Sequence, residues 1–291
     1  MKDFANKVAL VTGSASGIGF AITRSLAERG TSVVMLDVER TALDSAVAKL
    51  PSTGAKFLPM VIDVANREAM YAAARTVQET FGRLDILVNN AGVAYNVKPL
   101  HETPDEAIDW SIDVNLFGVL NGIKAFVPLI IAGGEGGHIV NTSSIGGFQV
   151  RKNPHWHQGL YAATKYAVTA LSEGLRLDLE DQNIGVSVLA PAAVTTNIMT
   201  SDRNRHSRFG GPTTGSQSEV FADMFKQTGI APEAVGERVI QAILDNELYI
   251  FTHLETQSWL EERHRRIEAA FDATRHYLAS HQGALANSDT G

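Results

Sequence analysis

The stretch VALVTGSASGIG, from Val8 to Gly19, decides the fold. Val8 to Thr12 is a short apolar run with the character of a strand, and from Gly17 to Arg29 the apolar residues recur at helical spacing. Between them stand three glycines, Gly13, Gly17 and Gly19, in a turn that also carries Ser16 and Ile18. Glycine lets backbone come close to another group, and a helix that opens directly after a strand offers unpaired amides to an anion. A dinucleotide pyrophosphate suits that place. The spacing is G-x-x-x-G-x-G, which differs from the widespread G-x-G-x-x-G fingerprint, and a plain tight turn is the competing reading.

The pattern repeats outward. A second strand, Thr31 to Leu36, ends at Asp37, about twenty residues past the glycine turn, where a carboxylate can accept the ribose hydroxyls of an adenosine and would repel a 2′-phosphate. No lysine or arginine lies inside the glycine turn, so NAD is expected over NADP; the alternative use of Asp37 is as a cap for the helix from Glu39 to Leu50. A strand from Lys56 to Ile62 ends at Asp63 and Val64, a helix spans Arg67 to Phe81, and a strand from Leu84 to Val88 closes on NNAG, Asn89 to Gly92. Four strands alternating with three helices predict a parallel sheet, whose ligands bind at the carboxyl ends of the strands. Gly13, Asp37, Asp63 and Asn90 all fall at such ends.

Composition narrows the field. With 291 residues and 44% hydrophobic content the chain is expected to form one domain spanning 1–291. A net charge of −7 argues against nucleic acid as a partner. The absence of cysteine excludes disulfides, thiolate metal sites and cysteine nucleophiles, and suits the cytoplasm. No basic segment followed by an apolar stretch opens the chain, so no secretory leader is expected. The longest apolar run, AFVPLIIA around Pro128, is shorter than a membrane span, and no membrane partner is expected.

The second half carries the chemistry. Thr103 and Pro104 read as cap and first turn of a long helix, within which Asn115 is either a buried polar group with partners or a residue that bends the helix. Gly133 to Gly137 end that helix, and a fifth strand, His138 to Thr142, delivers Ser143 and Ser144. The formal glycosylation sequon at Asn141 lies inside that strand and is discounted. Tyr161 and Lys165 stand four apart in a helix reaching Leu179, so an ammonium shares a helix face with a phenol. A nearby cation favours the phenolate and makes the tyrosine a usable acid and base. Further on come a strand from Gly185 to Leu189, the segment PAAVTTNIM, and a polar, glycine-bearing connection, with 192–232 expected to be a loop or lid on the substrate side. A helix from Pro232 to Asn246, a seventh strand from Leu248 to Phe251 and an amphipathic helix from Glu255 to about Ser280 follow, the last with Trp259, Ile267, Phe271 and Leu278 on one stripe suited to core or subunit contact. The tail, 282–291, is expected to be frayed.

Taken together, TGSASGIG, Asp37, Asp63-Val64, NNAG, Asn115, the Ser143-Ser144 pair and YAATK ending at Lys165 resemble the short-chain dehydrogenase/reductase family over nearly the full length. The resemblance implies a Rossmann-type α/β fold, a doubly wound, parallel seven-stranded sheet with helices on both faces and a C-terminal amphipathic helix. It implies Asn115, Ser144, Tyr161 and Lys165 as the catalytic residues. Gly13, Ser16, Gly17, Ile18, Gly19, Asp37, Asp63, Val64, Asn90, Tyr161, Lys165, Val194 and Thr196 would bind NAD, the last two at the carboxamide. Ala192 departs from the family glycine in PAAVTTN, and the sixteen residues between Ser144 and Tyr161 exceed the usual spacing by about four, with RKNPHWHQG as the extra part. The strings GHIVNTSSIGGF and NELYIFTHLE are also similar to a branch that holds bacterial oxidisers of benzylic alcohols in lignin-type diaryl ethers.

By this resemblance Ser144 holds a substrate oxygen and Tyr161 exchanges its proton as hydride passes between the carbinol carbon and NAD. Lys165 lowers the tyrosine pKa and holds the nicotinamide ribose, and Asn115 places a water beside Lys165. A homodimer or homotetramer is the implied assembly. His155 and His157 flank Trp156, but they lack the further ligands a metal needs, and no metal is expected. Tyr95, Trp156 and Met199 are expected to wall a pocket for bulky or aromatic secondary alcohols and their ketones. The rival readings are a reductase of cyclic, steroid-like or polyketide ketones and a non-enzymatic dinucleotide sensor.

Overall fold

A computed structural model describes residues 1, 3–95, 97–152, 156–212 and 227–281. They fall into two compact units, Met1–Thr252 and His253–Gly291. The second unit is a short turn, Leu254–Thr256, followed by a helix in which no residue is buried. The frayed-tail expectation at 282–291, and the part of the loop at 213–226, lie outside the described residues.

The first unit is built on seven parallel strands: β1 (Val8–Thr12), β2 (Ser32–Asp37), β3 (Phe57–Val61), β4 (Ile86–Asn89), β5 (Gly137–Thr142), β6 (Ile184–Ala190) and β7 (Tyr249–Phe251). Their order in the sheet is β3-β2-β1-β4-β5-β6-β7. In β1 alternate side chains enter two different cores, Ala9 and Val11 on one face, Val8 and Leu10 on the other. That is why the strand reads as an unbroken apolar run: both faces are covered. Helices α1 (Gly17–Glu28) and α2 (Arg40–Val47) supply Ile22, Leu26, Leu43 and Ala46 to the first core. Helix α3 (Arg67–Phe81) supplies Met70, Ala73 and Val77 to the second. The strand order reverses beside β1, between β2 and β4, and a dinucleotide belongs at such a switch point.

The long helix after Thr103 is not one regular helix. It runs as α4 (Asp105–Ile112), one wide π turn over Asp113–Phe117, and α5 (Gly118–Gly133). Thr103 does not cap it; its hydroxyl donates to the Pro99 carbonyl, and Pro104 takes the cap position with its fixed backbone angle. By length and composition Asp105–Gly133 could cross a membrane, which the shorter apolar run noted above could not. Its Ala125, Phe126, Val127 and Ile130 instead fill the second core. Helix α6 (Gly159–Asp178) follows β5, and α7 (Pro232–Asp245) packs with α1 on the first core through Val235, Val239 and Ile243. The C-terminal helix α8 (Gln257–Ser280) keeps Phe271 61% and Tyr277 52% exposed, so its stripe is not core.

Candidate active site

The glycine turn forms the cradle the spacing predicted. Gly13 and Gly17 have φ of 62° and 55°, the left-handed region where a side chain is strained. A Cβ on Gly17 would also stand 3.0 Å from the Thr196 methyl, so Thr196 closes directly over the turn. Helix α1 has no acidic residue in its first turn and no side-chain cap from Ser16, leaving its first amides for an outside anion. Asn90 turns out to serve the turn itself: its amide donates to the Thr12 and Gly13 carbonyls at 3.0 and 3.3 Å. Asp37 ties the glycine turn to the residues after β2, and Glu39, not Asp37, takes the cap position of α2. The Asp37 carboxylate accepts the Ala15 and Glu39 amides at 2.9 and 3.1 Å, and a carboxylate has further lone pairs for ribose hydroxyls. Asp63 accepts the Ala65 amide at 2.9 Å, while Val64 is buried and its carbonyl takes the Asn121 amide. Ile18 is half-buried against the first core, and Val194 is buried in an isolated parallel bridge to Ile230. These residues fit a dinucleotide.

One step along the sheet edge the catalytic candidates converge. Ser144 follows β5 and its hydroxyl accepts the Gly146 amide at 3.1 Å. A side-chain hydrogen bond joins Tyr161 to Ser144. Lys165, one turn along α6, is 2% exposed, donates to the Thr142 carbonyl at 3.0 Å and stands 5.6 Å from the centre of the Tyr161 ring. Asn115 resolves its two readings together. It sits in the π turn, fully buried, where its amide oxygen accepts the Val93 amide at 2.8 Å. Its amide nitrogen donates to the Val93 carbonyl at 2.9 Å and to the Thr164 hydroxyl at 3.2 Å. A Cβ on Gly92 would lie 3.3 Å from both the Asn115 amide oxygen and the Lys165 ammonium, so the missing side chain is what lets these two groups converge.

The electrostatics correct one expectation. Desolvation pushes the Tyr161 phenol up to about 12, with the bond to Ser144 pulling the other way, and desolvation alone pushes Lys165 down to about 8. The lysine charge was expected to lower the tyrosine; in the folded chain burial dominates both groups, holding the phenol above and the ammonium below its ordinary value.

A segment outside the sheet crosses this edge. The short helical turns Ile198–Asn204 and Ser207–Phe209 send Arg203 and Asn204 to the Glu39 carboxylate at 2.5 and 2.7 Å and Ser201 to the Ala94 amide at 3.0 Å. Arg208 approaches Asp63 at 3.5 Å and Asp113 at 3.8 Å. Burial raises the Glu39 carboxyl, but hydrogen bonds from Asn204 and Arg203 outweigh it and hold the group below its ordinary value. The expected substrate residues Tyr95, Trp156 and Met199 are each half-buried. His155 lies outside the described residues, and among those described no group of acids and histidines could hold a metal.

The family described as short chain dehydrogenase matches residues 7–207. The chain belongs to the short-chain dehydrogenase family. Its relatives include the C alpha-dehydrogenase of Sphingobium sp. (strain NBRC 103272 / SYK-6), 38% identical over 92% of this chain and 87% of that protein. A short chain dehydrogenase/reductase from Burkholderia phymatum, solved in complex with NAD, superposes with a TM-score of 0.85 at 33% identity, covering 93% of this chain and 97% of the other. The 1-deoxy-11-beta-hydroxypentalenate dehydrogenase of Streptomyces avermitilis is 33% identical over 88% of this chain and 87% of its own length.

Within this short-chain dehydrogenase, motif reading missed the residues that hold the catalytic ones in place. Ser143 donates to the Lys165 carbonyl at 2.8 Å and meets the Thr169 hydroxyl at 2.9 Å, tying the end of β5 to α6. A buried ladder of Asn89, Asn141 and Ser172 ties β4, β5 and α6 with bonds of 2.8 and 2.9 Å. Polar residues inside otherwise apolar strands were the available signal. Gln149 and Arg205, both buried, carry a polar atom with no hydrogen-bond partner and had no such signal.

Proposed function

We propose that this chain oxidises bulky or aromatic secondary alcohols with NAD and reduces the corresponding ketones, with Tyr161 as the general acid and base. The coarser activity, NAD-dependent oxidoreduction of alcohols and ketones, rests on family membership and on the likeness to an NAD-bound structure. The observation that carries the finer reading is the convergence of Ser144, Tyr161 and Lys165 at the carboxyl edge of β5, with Tyr161 bonded to Ser144.

In this reading Ser144 holds the carbinol oxygen. Tyr161, as phenolate, accepts the hydroxyl proton while the carbinol carbon gives up hydride. Bound NAD, held by the glycine turn, Asp37 and Asp63, supplies the hydride acceptor, with Val194 and Thr196 at its carboxamide. Lys165 steadies the phenolate by its charge and holds the ribose, and Asn115 orders a water that returns the tyrosine proton to solvent. In reverse the same phenol protonates a ketone. Tyr95, Trp156 and Met199 form the wall that favours aryl substrates. The enzyme works in the cytoplasm as a homodimer or homotetramer on a small molecule, without nucleic acid or membrane.

Tyr161→Phe is expected to keep NADH binding and to lose turnover by about a hundredfold or more. Turnover within a few-fold of the parent would remove Tyr161 from its role. Compared as a panel, aryl carbinols should outperform short aliphatic ones in kcat/KM, and the opposite order would end the aromatic-wall reading. A second reading, action on cyclic ketones or alcohols, is favoured by the relative from Streptomyces avermitilis, which by its name acts on a hydroxypentalenate. The same panel separates the two.

A further inference from the structure

Three arginines lie in the segment that crosses the cleft, and their surroundings are the reverse of what stability alone would arrange. Arg203 and Arg208, with side chains 37% and 43% exposed, each reach a carboxylate. Arg205, only 6% exposed, reaches none among the described residues, and its Nε has no hydrogen-bond partner. A guanidinium stays charged under all ordinary conditions, and a buried charge is costly unless paired. Its one compensating contact is with the face of Trp110, 5.7 Å from guanidinium carbon to ring centre, which offsets only part of that cost.

Arg205 is also held in place. Its backbone amide donates to the Asp202 carbonyl at 3.0 Å. The chain is pinned before it by Arg203 and Asn204 on Glu39, and after it by Arg208 at Asp63 and Asp113. Trp110 packs with Val93 and Phe209, and Val93 exchanges both backbone bonds with Asn115. One layer of side chains therefore separates Arg205 from the Asn115–Lys165 centre. Tyr95, two residues past Val93, lies within reach of the Arg205 charge. The guanidinium leans on α4 through the face of Trp110.

We propose that Arg205 is the docking point for a carboxylate on the substrate, so that the preferred alcohol or ketone carries an anionic group at the end remote from its reacting carbon. This rests on the reading of the chain as an alcohol and ketone oxidoreductase. It adds a charge requirement that bulk and aromaticity do not imply. The fork of a guanidinium matches a carboxylate, and among the described residues no carboxylate has to be displaced from Arg205 for a ligand to meet it.

The test compares 4-acetylbenzoate with its uncharged counterpart 4-acetylbenzamide on the full-length protein holding NADH. Binding is read from the reduced-nicotinamide fluorescence and turnover from absorbance. The carboxylate should bind about tenfold or more tightly than the amide, with the gap appearing in KM and narrowing as salt is raised. Arg205→Gln should collapse that ratio toward one while NADH affinity is kept. Equal binding of the two ligands to the parent protein overturns the proposal. So does an Arg205→Gln protein whose NADH affinity falls while the ratio survives, since the anion held would then be the cofactor's pyrophosphate. If Arg205→Gln does not fold, benzoate against benzamide as inhibitors of a neutral aryl carbinol decides on the parent alone, equal inhibition being the negative result. Carboxylate-selective binding without hydride transfer would leave Arg205 as an anion site and remove the proposed reaction instead.

Discussion

Between Thr12 and Lys165 the site is held by buried groups that satisfy one another: Asn90 on Thr12, Asn115 on Val93, Ser143 on the Lys165 carbonyl, Lys165 on Thr142. Between Ile198 and Phe209 the charged contacts are ion pairs near the surface, Arg203 to Glu39 and Arg208 to Asp63 and Asp113, beside the buried Ser201 and Phe209. Buried bonds cost their full desolvation when one partner is lost, whereas exposed pairs contribute about 0–1 kcal/mol and are screened by salt. The floor is thus intolerant of change, whereas the ion pairs of the cover can be broken at little cost.

The floor should break hardest at Asn115. Asn115→Leu strands the Val93 amide and carbonyl inside the protein, while the Thr164 hydroxyl keeps its bond to the Tyr161 carbonyl. A loss of about 2–4 kcal/mol in denaturant melts is expected, together with loss of turnover even where the protein remains folded. A change below about 0.5 kcal/mol would mean that the π turn, and not its amide, organises the site.

The next largest effect is on rate. Tyr161 is pushed up to about 12 and Lys165 down to about 8 by desolvation. Alcohol oxidation needs the phenolate and the Lys165 charge that steadies it, so kcat/KM for oxidation should climb as pH rises from 6 to about 8 and level off as Lys165 loses its proton, while ketone reduction should fall. Profiles of the two directions measured with NAD and NADH check the sign. An oxidation rate flat across that range would detach Tyr161 from the proton transfer.

Much of this floor is legible before any coordinates, because it depends on residue types at fixed places along strands. A strand end needs its glycine or its carboxylate at one position, and Gly13, Asp37 and Asp63 stand there. The side-chain period fixes which residues face each core, so the parallel sheet follows from Val8 to Asn89 alone. The π turn at Asp113–Phe117 is hidden, since nothing in SIDVNLFGV separates a wide turn from a regular helix. The fate of Asn90 is hidden too, because an amide at a strand end suits a ligand and a neighbouring turn equally. The cover is least legible. Its ion pairs join residues 164 and 145 positions apart in the chain, and charged side chains on a polar loop carry no periodicity to betray their partners.

A smaller effect separates the floor from the cover in acid. His138 lies in β5, its Nε2 2.8 Å from the Ser187 hydroxyl, whose own proton goes to the Glu247 carbonyl. Ser187 therefore accepts, and the imidazole is neutral with Nε2 carrying hydrogen. Burial first, then the positive N-terminus and Arg176, pushes its pKa down to about 3. The unfolded chain takes this proton near pH 6.5 and the folded one does not. The stability His138 supports is complete above that value and drains away as pH falls toward 3, by about 2 kcal/mol at pH 5. Melts of the parent and of His138→Gln at pH 5 and pH 8 should show this extra loss in the parent only.

The smallest change should fall on the cover, and its character matters more than its size. Glu39 receives both Arg203 and Asn204 and stands two residues beyond Asp37, the proposed acceptor of the adenosine ribose. Glu39→Gln keeps the shape and an acceptor for Asn204 but removes the attraction for Arg203. Global stability should shift by less than about 1 kcal/mol. NADH release followed by stopped-flow fluorescence should become faster by a few-fold at low salt and indistinguishable from the parent at high salt, where the ion pair is already screened. A mere brace would alter the melting curve and leave the release rate alone. A latch does the reverse, and only the latch makes cofactor exchange in this enzyme respond to ionic strength.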